Sequence, residues 1–344
     1  MRKKSIFVYI LLLLAVVCTA CFGAYQYFFG ALEHDSSFED AVDNAVDRLA
    51  VNEQTDLNNA DIKNIAIFGI DSQDSKKGRS DATMILSIDR VHNKIKLCSI
   101  ARDTLVYIPD KDVYEKFTHA YAYGGAQLAV KTLNKNFNLN ITDYVAVNFS
   151  EMASIVDMLG GVQVNLSEAE IPYLGECGKS LTAGDSVTLN GEQAVSYSRI
   201  RHLDSDDMRT SRQREVMASL FSKAGSLTAT QYPALIRQGL GLCTTSLDYS
   251  EILKLSQFLL TSKPTLEQDA LPGSHVDAWG GILPSSRAWC YVYDLREASD
   301  YLLSFIYEDI YTHLLPESDV LALQQGVFVA DEAELQRRLE DYGL

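Results

Sequence analysis

The chain lacks the positive charge that would let it hold a polyanion by bulk electrostatics. Thirty lysines and arginines face 46 aspartates and glutamates, a net charge of −16. That balance excludes a nucleic-acid partner, because a phosphate backbone rewards basic faces. The sequence also has no Gly-rich Walker loop and no nucleophile elbow, which removes the common signatures of nucleotide hydrolysis and serine acyl transfer. Of six cysteines, Cys18 and Cys21 lie in an apolar N-terminal run. The other four, Cys98, Cys177, Cys243 and Cys290, show no CxxC or metal spacing. A disulfide such as Cys177 with Cys290 and a set of idle thiols both stay open. There is no internal repeat and no low-complexity tract.

What is present begins with the N-terminus. Arg2, Lys3 and Lys4 precede a stretch from Ser5 to Leu32 without a charged residue, and Ile6 to Ala24 is apolar enough to cross a bilayer, which takes about 20 residues. The first charges after it are acidic: Glu33, Asp35, Glu39 and Asp40. Basic residues stay on the cytoplasmic side, so this pattern predicts a single-pass anchor over 5–29, with residues 1–4 in the cytoplasm and the rest outside the cell. A cleaved signal peptide would need a shorter apolar core and a small-x-small site, and the residues before Cys18 and Cys21 make a poor lipoprotein signal.

Residues 30–61 are polar and acidic with a weak helical pattern at Phe38, Ala41, Val42, Ala45 and Leu49, which predicts a juxtamembrane stalk. From Ile62 the character changes. Residues 65–70, 82–88 and 95–100 read as buried strands, with a turn over 90–93. Gly124-Gly125 precedes a helical stretch over 126–137, and a strand over 144–148 leads to a helix over 150–159. Gly160-Gly161 then closes that helix before a strand over 162–166. Strands alternating with helices predict an α/β fold, an α-β-α sandwich around a central mixed sheet. The expected domain spans 62–225, followed by a largely helical extension over 226–344 with helices near 249–260, 295–307 and 331–342.

Three segments carry candidate chemistry. Gly69-Ile70-Asp71 ends a strand, and a polar loop leads from it to Gly78-Arg79-Ser80-Asp81. Ligands bind at strand ends in α/β sheets. Asp71 and Asp81 could together hold a hard cation such as Mg²⁺, or Mn²⁺; as solvated loop carboxylates they would do nothing. Ser99-Ile100-Ala101-Arg102-Asp103-Thr104 ends another strand, where Arg102 and Asp103 form either a structural ion pair or part of a site. The third segment holds five arginines, Arg199, Arg201, Arg209, Arg212 and Arg214, and no lysine. The guanidinium fork grips phosphate oxygens bidentately, whereas lysine is a mobile point charge. A strand over 199–201 would aim two of them at one face. Thr210 and Gln213 read as a capping box that puts Arg209 and Arg212 at a helix N-terminus, itself an anion site. Arg214 is the one most easily explained as a solvated face.

The sequence resembles the catalytic domain of the LytR-CpsA-Psr family over most of 62–225. The resemblance is carried by Gly69-Ile70-Asp71, Arg79-Ser80-Asp81, Ser99-Ile100-x-Arg102-Asp103-Thr104, Ala120-Tyr121-Ala122-x-Gly124-Gly125, Gly160-Gly161-Val162-x-Val164, Arg199-x-Arg201, and Arg209-x-x-Arg212-Gln213. It implies a Mg²⁺-dependent phosphotransferase that moves a glycopolymer phosphate from a polyprenyl-pyrophosphate carrier to a peptidoglycan hydroxyl at the outer face of the cell membrane. Asp71 and Asp81 would hold the metal. Arg79, Arg102, Arg199, Arg201, Arg209 and Arg212 would surround the pyrophosphate, with Gln213 assisting, and the prenyl tail would enter an apolar tunnel. Asp103 would orient Arg102 or the metal shell, and Asp81 would help deprotonate the acceptor. Ala101 stands where the family usually has proline, and His119, near the site, where it often has asparagine. A hydrolase acting on the same donor and a non-catalytic sensor of lipid-linked intermediates are the alternatives.

Overall fold

The computed structural model describes residues 33–308 apart from 43–44, 53–60, 75, 202, 229–230, 232–237, 240 and 284–287. The anchor over 5–29 and the helix expected near 331–342 lie outside the described residues. Among the described residues no helix is long and apolar enough to cross a membrane.

The chain enters through β1 (Glu33–His34), α1 (Ser36–Val42) and α2 (Ala45–Leu49), followed by β2 (Ile62–Ile70), β3 (Ser80–Asp89) and β4 (Lys94–Ile100). A hairpin of β5 (Leu105–Ile108) and β6 (Val113–Lys116) leads into α3 (Phe117–Phe137), which is kinked at Gly124 and Gly125. Then come β7 (Asp143–Asn148), α4 (Phe149–Met158), β8 (Val162–Leu166), a 3-10 helix (Ile171–Gly178), β9 (Gly184–Leu189), α5 (Gly191–Ser198) and α6 (Asp206–Gly225). The last elements are β10 (Thr244–Thr245), α7 (Tyr249–Ser262), β11 (Thr265–Leu271), β12 (Ala278–Ile282), β13 (Trp289–Tyr293) and α8 (Leu295–Tyr307).

Seven strands form one mixed sheet in the order β1-β10-β7-β2-β3-β4-β11. The pairs β7–β2, β4–β11 and β1–β10 are parallel; the others are antiparallel. Side-chain alternation divides the two faces. Ala66, Phe68, Ile70, Ile85 and Ile100 join α3 and α8 in one core, while Ile65, Met84, Leu86, Ile95 and Leu97 meet α6 and α7 in another. This is the expected α-β-α arrangement. A third cluster, including Val156, Val164, Leu189, Ala194 and Val216, joins α4, the β8–β9 hairpin, α5 and α6 beside the sheet.

Several boundaries differ from the sequence expectation. The segment read as a stalk is part of the domain: β1 pairs with β10, and Phe38, Ala41 and Leu49 are almost fully buried in the main core. The weak apolar stripe noted there is a packing face. The domain also does not end at 225, because β10 and β11 complete the two sides of the sheet, and α7 and α8 cover its faces. Cys98, Cys177, Cys243 and Cys290 are free thiols, so the Cys177–Cys290 bridge is not formed.

Two glycines fix how α4 meets its neighbours. Gly161 has φ +90°, and a Cβ there would sit 2.7 Å from the Leu189 carbonyl oxygen, so the turn into β8 admits no side chain. Gly191, the first residue of α5, lies so close to α4 that a Cβ would come within 2.1 Å of the Ala153 carbonyl oxygen. Gly191→Ala is therefore expected to destabilise the protein by about 2 kcal/mol through overpacking. Thermal unfolding of the two proteins measures it, and an unchanged midpoint would mean that the helices separate without strain.

Candidate functional site

The sheet face beneath α6 opens into a cavity of about 440 Å³ between the ends of β2, β3 and β7 on one side and α4, α5 and α6 on the other. Its charged lining comes from all three segments singled out in the sequence: Asp71 and Arg79, Asp81, Arg102, and then Arg199, Arg201, Arg209 and Gln213. The rest is mostly apolar. Ile67 and Ala82 lie on the sheet with Met84 and Val147, Met152 on α4, Val195 on α5, and Val216 and Met217 on α6. The sequence did not indicate these apolar residues, since each belongs to a run that reads only as core.

Local structure explains why the charges converge. Asp71 closes the loop after β2 by accepting from the Arg79 backbone N–H at 2.6 Å and from Arg79 Nε at 3.0 Å, while its own N–H donates to the Arg79 carbonyl at 3.0 Å. Asp81, at the start of β3, receives two guanidiniums: Arg102 Nη1 on Oδ1, and Arg201 Nη2 on Oδ2 at 3.2 Å. Asp103 lies behind this pair. Its carboxylate takes Arg102 Nε at 3.4 Å and the Lys116 ammonium at 3.0 Å. Burial alone would raise the Asp103 carboxyl, but Arg102 and Lys116 outweigh it and hold the group below the ordinary carboxylate range. Asp103 therefore orients Arg102 from behind and does not line the cavity. Lys116, placed by the start of α3, was missed in the sequence because it stands apart from the three polar segments, next to Glu115 with which it reads as an ordinary charge pair.

The third segment folds differently from the expectation. Residues 199–201 are not a strand: Arg199 caps the C-terminus of α5, and Arg201 lies in the following loop. The guanidinium of Arg199 rests over the Phe149 ring, 4.3 Å from its centroid. Helix α6 begins at Asp206, with the Ser205 side chain accepting from the Met208 N–H, so Thr210 and Gln213 sit inside the helix and form no capping box. Starting the helix earlier turns Arg209, Gln213, Val216 and Met217 toward the cavity at helical spacing.

The same rotation takes Arg212 away. It is buried, with Nε donating to Glu170 Oε1 at 2.6 Å, Nη1 donating to Asp204 Oδ1 at 3.1 Å and to the Ile200 carbonyl at 3.5 Å, and Nη2 donating to Asp204 Oδ2. Arg212 thus clamps the loop that carries Arg201 onto α6, and it is not a cavity residue. Arg214 is half-buried and, with Arg212, lines a second cleft separate from the cavity, so it is not the solvated face expected of it. His119 contacts Glu115 and the Tyr123 ring and does not line the cavity.

Burial would raise the Glu170 carboxyl too, but its bonds from Arg212 and Ser167 hold it below the ordinary value. A folded-state pKa that is depressed adds stability above the unfolded value of about 4.3, and that stability is lost as pH falls through the folded value. Arg212→Met should therefore cost about 3 kcal/mol at neutral pH, since it strands a buried carboxylate. The deficit should shrink in acid as Glu170 protonates. Denaturant unfolding at neutral and acid pH measures both, and a deficit that does not depend on pH would refute the clamp.

The model of the LytR_cpsA_psr family matches residues 27–297. A polyisoprenyl-teichoic acid–peptidoglycan teichoic acid transferase TagU from Enterococcus faecalis is 33% identical over 227 residues, covering 64% of this chain and 73% of that protein. The Bacillus subtilis TagU is 27% identical over 277 residues, 79% of this chain and 88% of its own length. Among solved structures, TagT bound to LIIa-WTA superposes with a TM-score of 0.60 at 28% identity, over 72% of this chain and 91% of that one. A TagT structure with bound octaprenyl pyrophosphate lipid gives a TM-score of 0.56 at 26% identity, with 72% and 91% coverage. With the matched model covering most of its length, this chain belongs to the LytR-CpsA-Psr family.

Proposed function

We propose that this protein is a membrane-anchored extracellular phosphotransferase that moves a glycopolymer phosphate from a polyprenyl-pyrophosphate carrier to a peptidoglycan hydroxyl. The observation that carries the reading is the division of one cavity into an arginine-lined mouth and an apolar interior. A lipid diphosphate is divided in the same way, with a dense anion joined to a hydrocarbon chain. The names of the relatives support the reaction type, and the octaprenyl pyrophosphate held by a related fold supports the donor class.

The arginines are held in place before any ligand arrives. Arg79 leans on Asp71, and Arg102 and Arg201 share Asp81. A diphosphate offers these guanidiniums more charge and more acceptor oxygens than a carboxylate does, so its arrival draws them forward and frees oxygens of Asp81. The acceptor hydroxyl then attacks the glycan-proximal phosphorus. The new P–O bond forms from the acceptor oxygen, the anhydride P–O bond breaks, polyprenyl phosphate leaves, and the acceptor proton passes to the Asp81 carboxylate. Arg102, Arg201 and Arg209 neutralise the charge that builds on the phosphoryl oxygens, Arg199 grips the bound diphosphate, and positioning does most of the remaining work.

Asp71 and Asp81 would also hold Mg²⁺, or Mn²⁺. Both carboxylates line the cavity, the donor set is all oxygen, and each oxygen keeps lone pairs beyond those used by arginine, which suits a hard cation completed by phosphate oxygens and water. When bound, the ion would add Lewis-acid stabilisation of the diphosphate.

The first described residues support donor delivery from a bilayer. Glu33 pairs with Lys76 at 2.8 Å, and Lys76 lies in the loop between Asp71 and Arg79. The polypeptide leaving the proposed anchor thus meets the loop whose two ends, Asp71 and Arg79, line the cavity.

The test uses the full-length protein in detergent with a short-chain lipid-pyrophosphate glycan and peptidoglycan fragments, followed by mass spectrometry. Glycan phosphate should appear on the peptidoglycan, fall to background with chelator, and return with added Mg²⁺. Arg102→Ala and Asp81→Asn should each lower transfer by about a hundredfold or more while the fold persists. Glycan phosphate released only into solution would mean a hydrolase. Full transfer by either folded variant would refute the assignment.

A further inference from the structure

Three arginines at the cavity mouth are fixed by carboxylates, Arg79 by Asp71 and both Arg102 and Arg201 by Asp81. Arg199 is held by different means. Among the described residues no carboxylate pairs with it, and its guanidinium carbon lies 4.3 Å from the centroid of the Phe149 ring. A ring face attracts a cation through its quadrupole, and it presents no lone pair that competes for the N–H groups. The contact therefore fixes where the guanidinium sits and leaves its five donors for an anion. Both side chains line the cavity.

The two partners come from separate elements whose geometry is tightly set. Phe149 is the first residue of α4, and the Asn148–Glu151 capping box fixes the backbone there: the Glu151 N–H donates to Asn148 Oδ1 at 2.9 Å, and the Asn148 N–H to Glu151 Oε2 at 2.7 Å. Asn148 Nδ2 also donates to the Gln73 carbonyl at 2.8 Å, which ties this helix start to the loop that carries Asp71 and Arg79. Arg199 ends α5, the helix whose first residue, Gly191, abuts α4 at Ala153. The tight α4–α5 contact thus brings a ring from one helix start under a guanidinium from the other helix end.

We infer that Phe149 is a positioning residue: its ring face holds the Arg199 guanidinium at the cavity mouth, aimed at the phosphate oxygens of a prenyl diphosphate, and so sets affinity for the donor. The inference rests on the diphosphate reading of the cavity given above. Arg199 can engage the ligand without first breaking an ion pair, which the carboxylate-held arginines cannot do. Its contribution therefore falls on donor binding, and KM for the donor depends on the ring more than kcat does.

The test is electronic, because the ring also forms part of the cavity wall. Phenylalanine carrying one, two or three fluorines is introduced at position 149 of the full-length protein. Each fluorine withdraws density from the ring face and leaves its shape nearly unchanged. Binding of geranyl diphosphate, measured by calorimetry, should weaken stepwise with each fluorine, reaching about tenfold for the trifluoro ring. Phe149→Leu should weaken it to a similar extent, and Phe149→Trp should restore it. With the lipid-linked glycan donor, the same series should raise KM and leave kcat level. In an Arg199→Ala background the fluorine series should be flat.

A flat series in the Arg199-containing protein, alongside an Arg199→Ala variant that binds weakly, would overturn the role of Phe149 and leave the diphosphate reading standing. Wild-type affinity in both Arg199→Ala and Arg102→Ala would refute the diphosphate reading, and the inference would fall with it.

Discussion

One carboxylate organises this site. Asp81 accepts guanidiniums from Arg102 and Arg201, residues 21 and 120 positions away in the chain. Without a central anion, Arg79, Arg102, Arg199, Arg201 and Arg209, all lining one cavity, would repel one another. Alternating the charges turns that repulsion into a lattice: Lys116 to Asp103, Asp103 to Arg102, Arg102 to Asp81, and Asp81 to Arg201. The arrangement is stable while empty, yet it remains exchangeable, because a diphosphate offers the same guanidiniums a better partner than a single carboxylate. In a chain of net charge −16, this local clustering of arginine is what makes a polyanionic ligand intelligible.

The fold supplies the other half of the site through periodicity. Along β2 and β3 the alternation that sends Phe68 and Ile85 into one core sends Ile67 and Met84 toward the cavity, so an apolar floor lies directly behind the polar strand ends. Helix α6 acts as a partition. Arg209, Gln213, Val216 and Met217 face the cavity, while Met208, Ser211, Arg212 and Glu215 face a separate cleft on the far side. On that far side Arg212 binds Glu170 and Asp204 and so holds the loop bearing Arg201 in register. The same residue type thus lines the cavity on one helical face and serves as structural clamp on the other.

The central strands, the turn at 90–93, the strand at 162–166 and the helix at 295–307 were legible because each has an unambiguous period or a glycine stop. The convergence of the three polar segments was legible too, since strand ends and arginine forks both point toward anion binding. What was illegible had a physical reason in each case. Strand β11 runs through Glu267, Gln268 and Asp269, and as an edge strand it has no apolar run to announce it. β1 and β10 are two residues long and exist only through pairing. The separate roles of Arg209 and Arg212 depend on where α6 starts. Moving that start from Thr210 to Asp206 changes which arginine faces the cavity, and nothing in composition signals the shift. The apolar stripe of 38–49 was visible, but its burial partners, among them Tyr144 on β7 and Phe137 on α3, lie far along the chain, beyond the reach of local pattern.

A crystal structure of the protein with geranyl diphosphate bound would show directly whether the guanidiniums held by Asp81 exchange onto a diphosphate. The diphosphate is expected in contact with Arg102, Arg201 and Arg199, with the prenyl chain running inward past Met84 and Met217. A diphosphate seated in the cleft beside Arg212, or a mouth in which Asp81 still holds both guanidiniums while the ligand lies elsewhere, would contradict it.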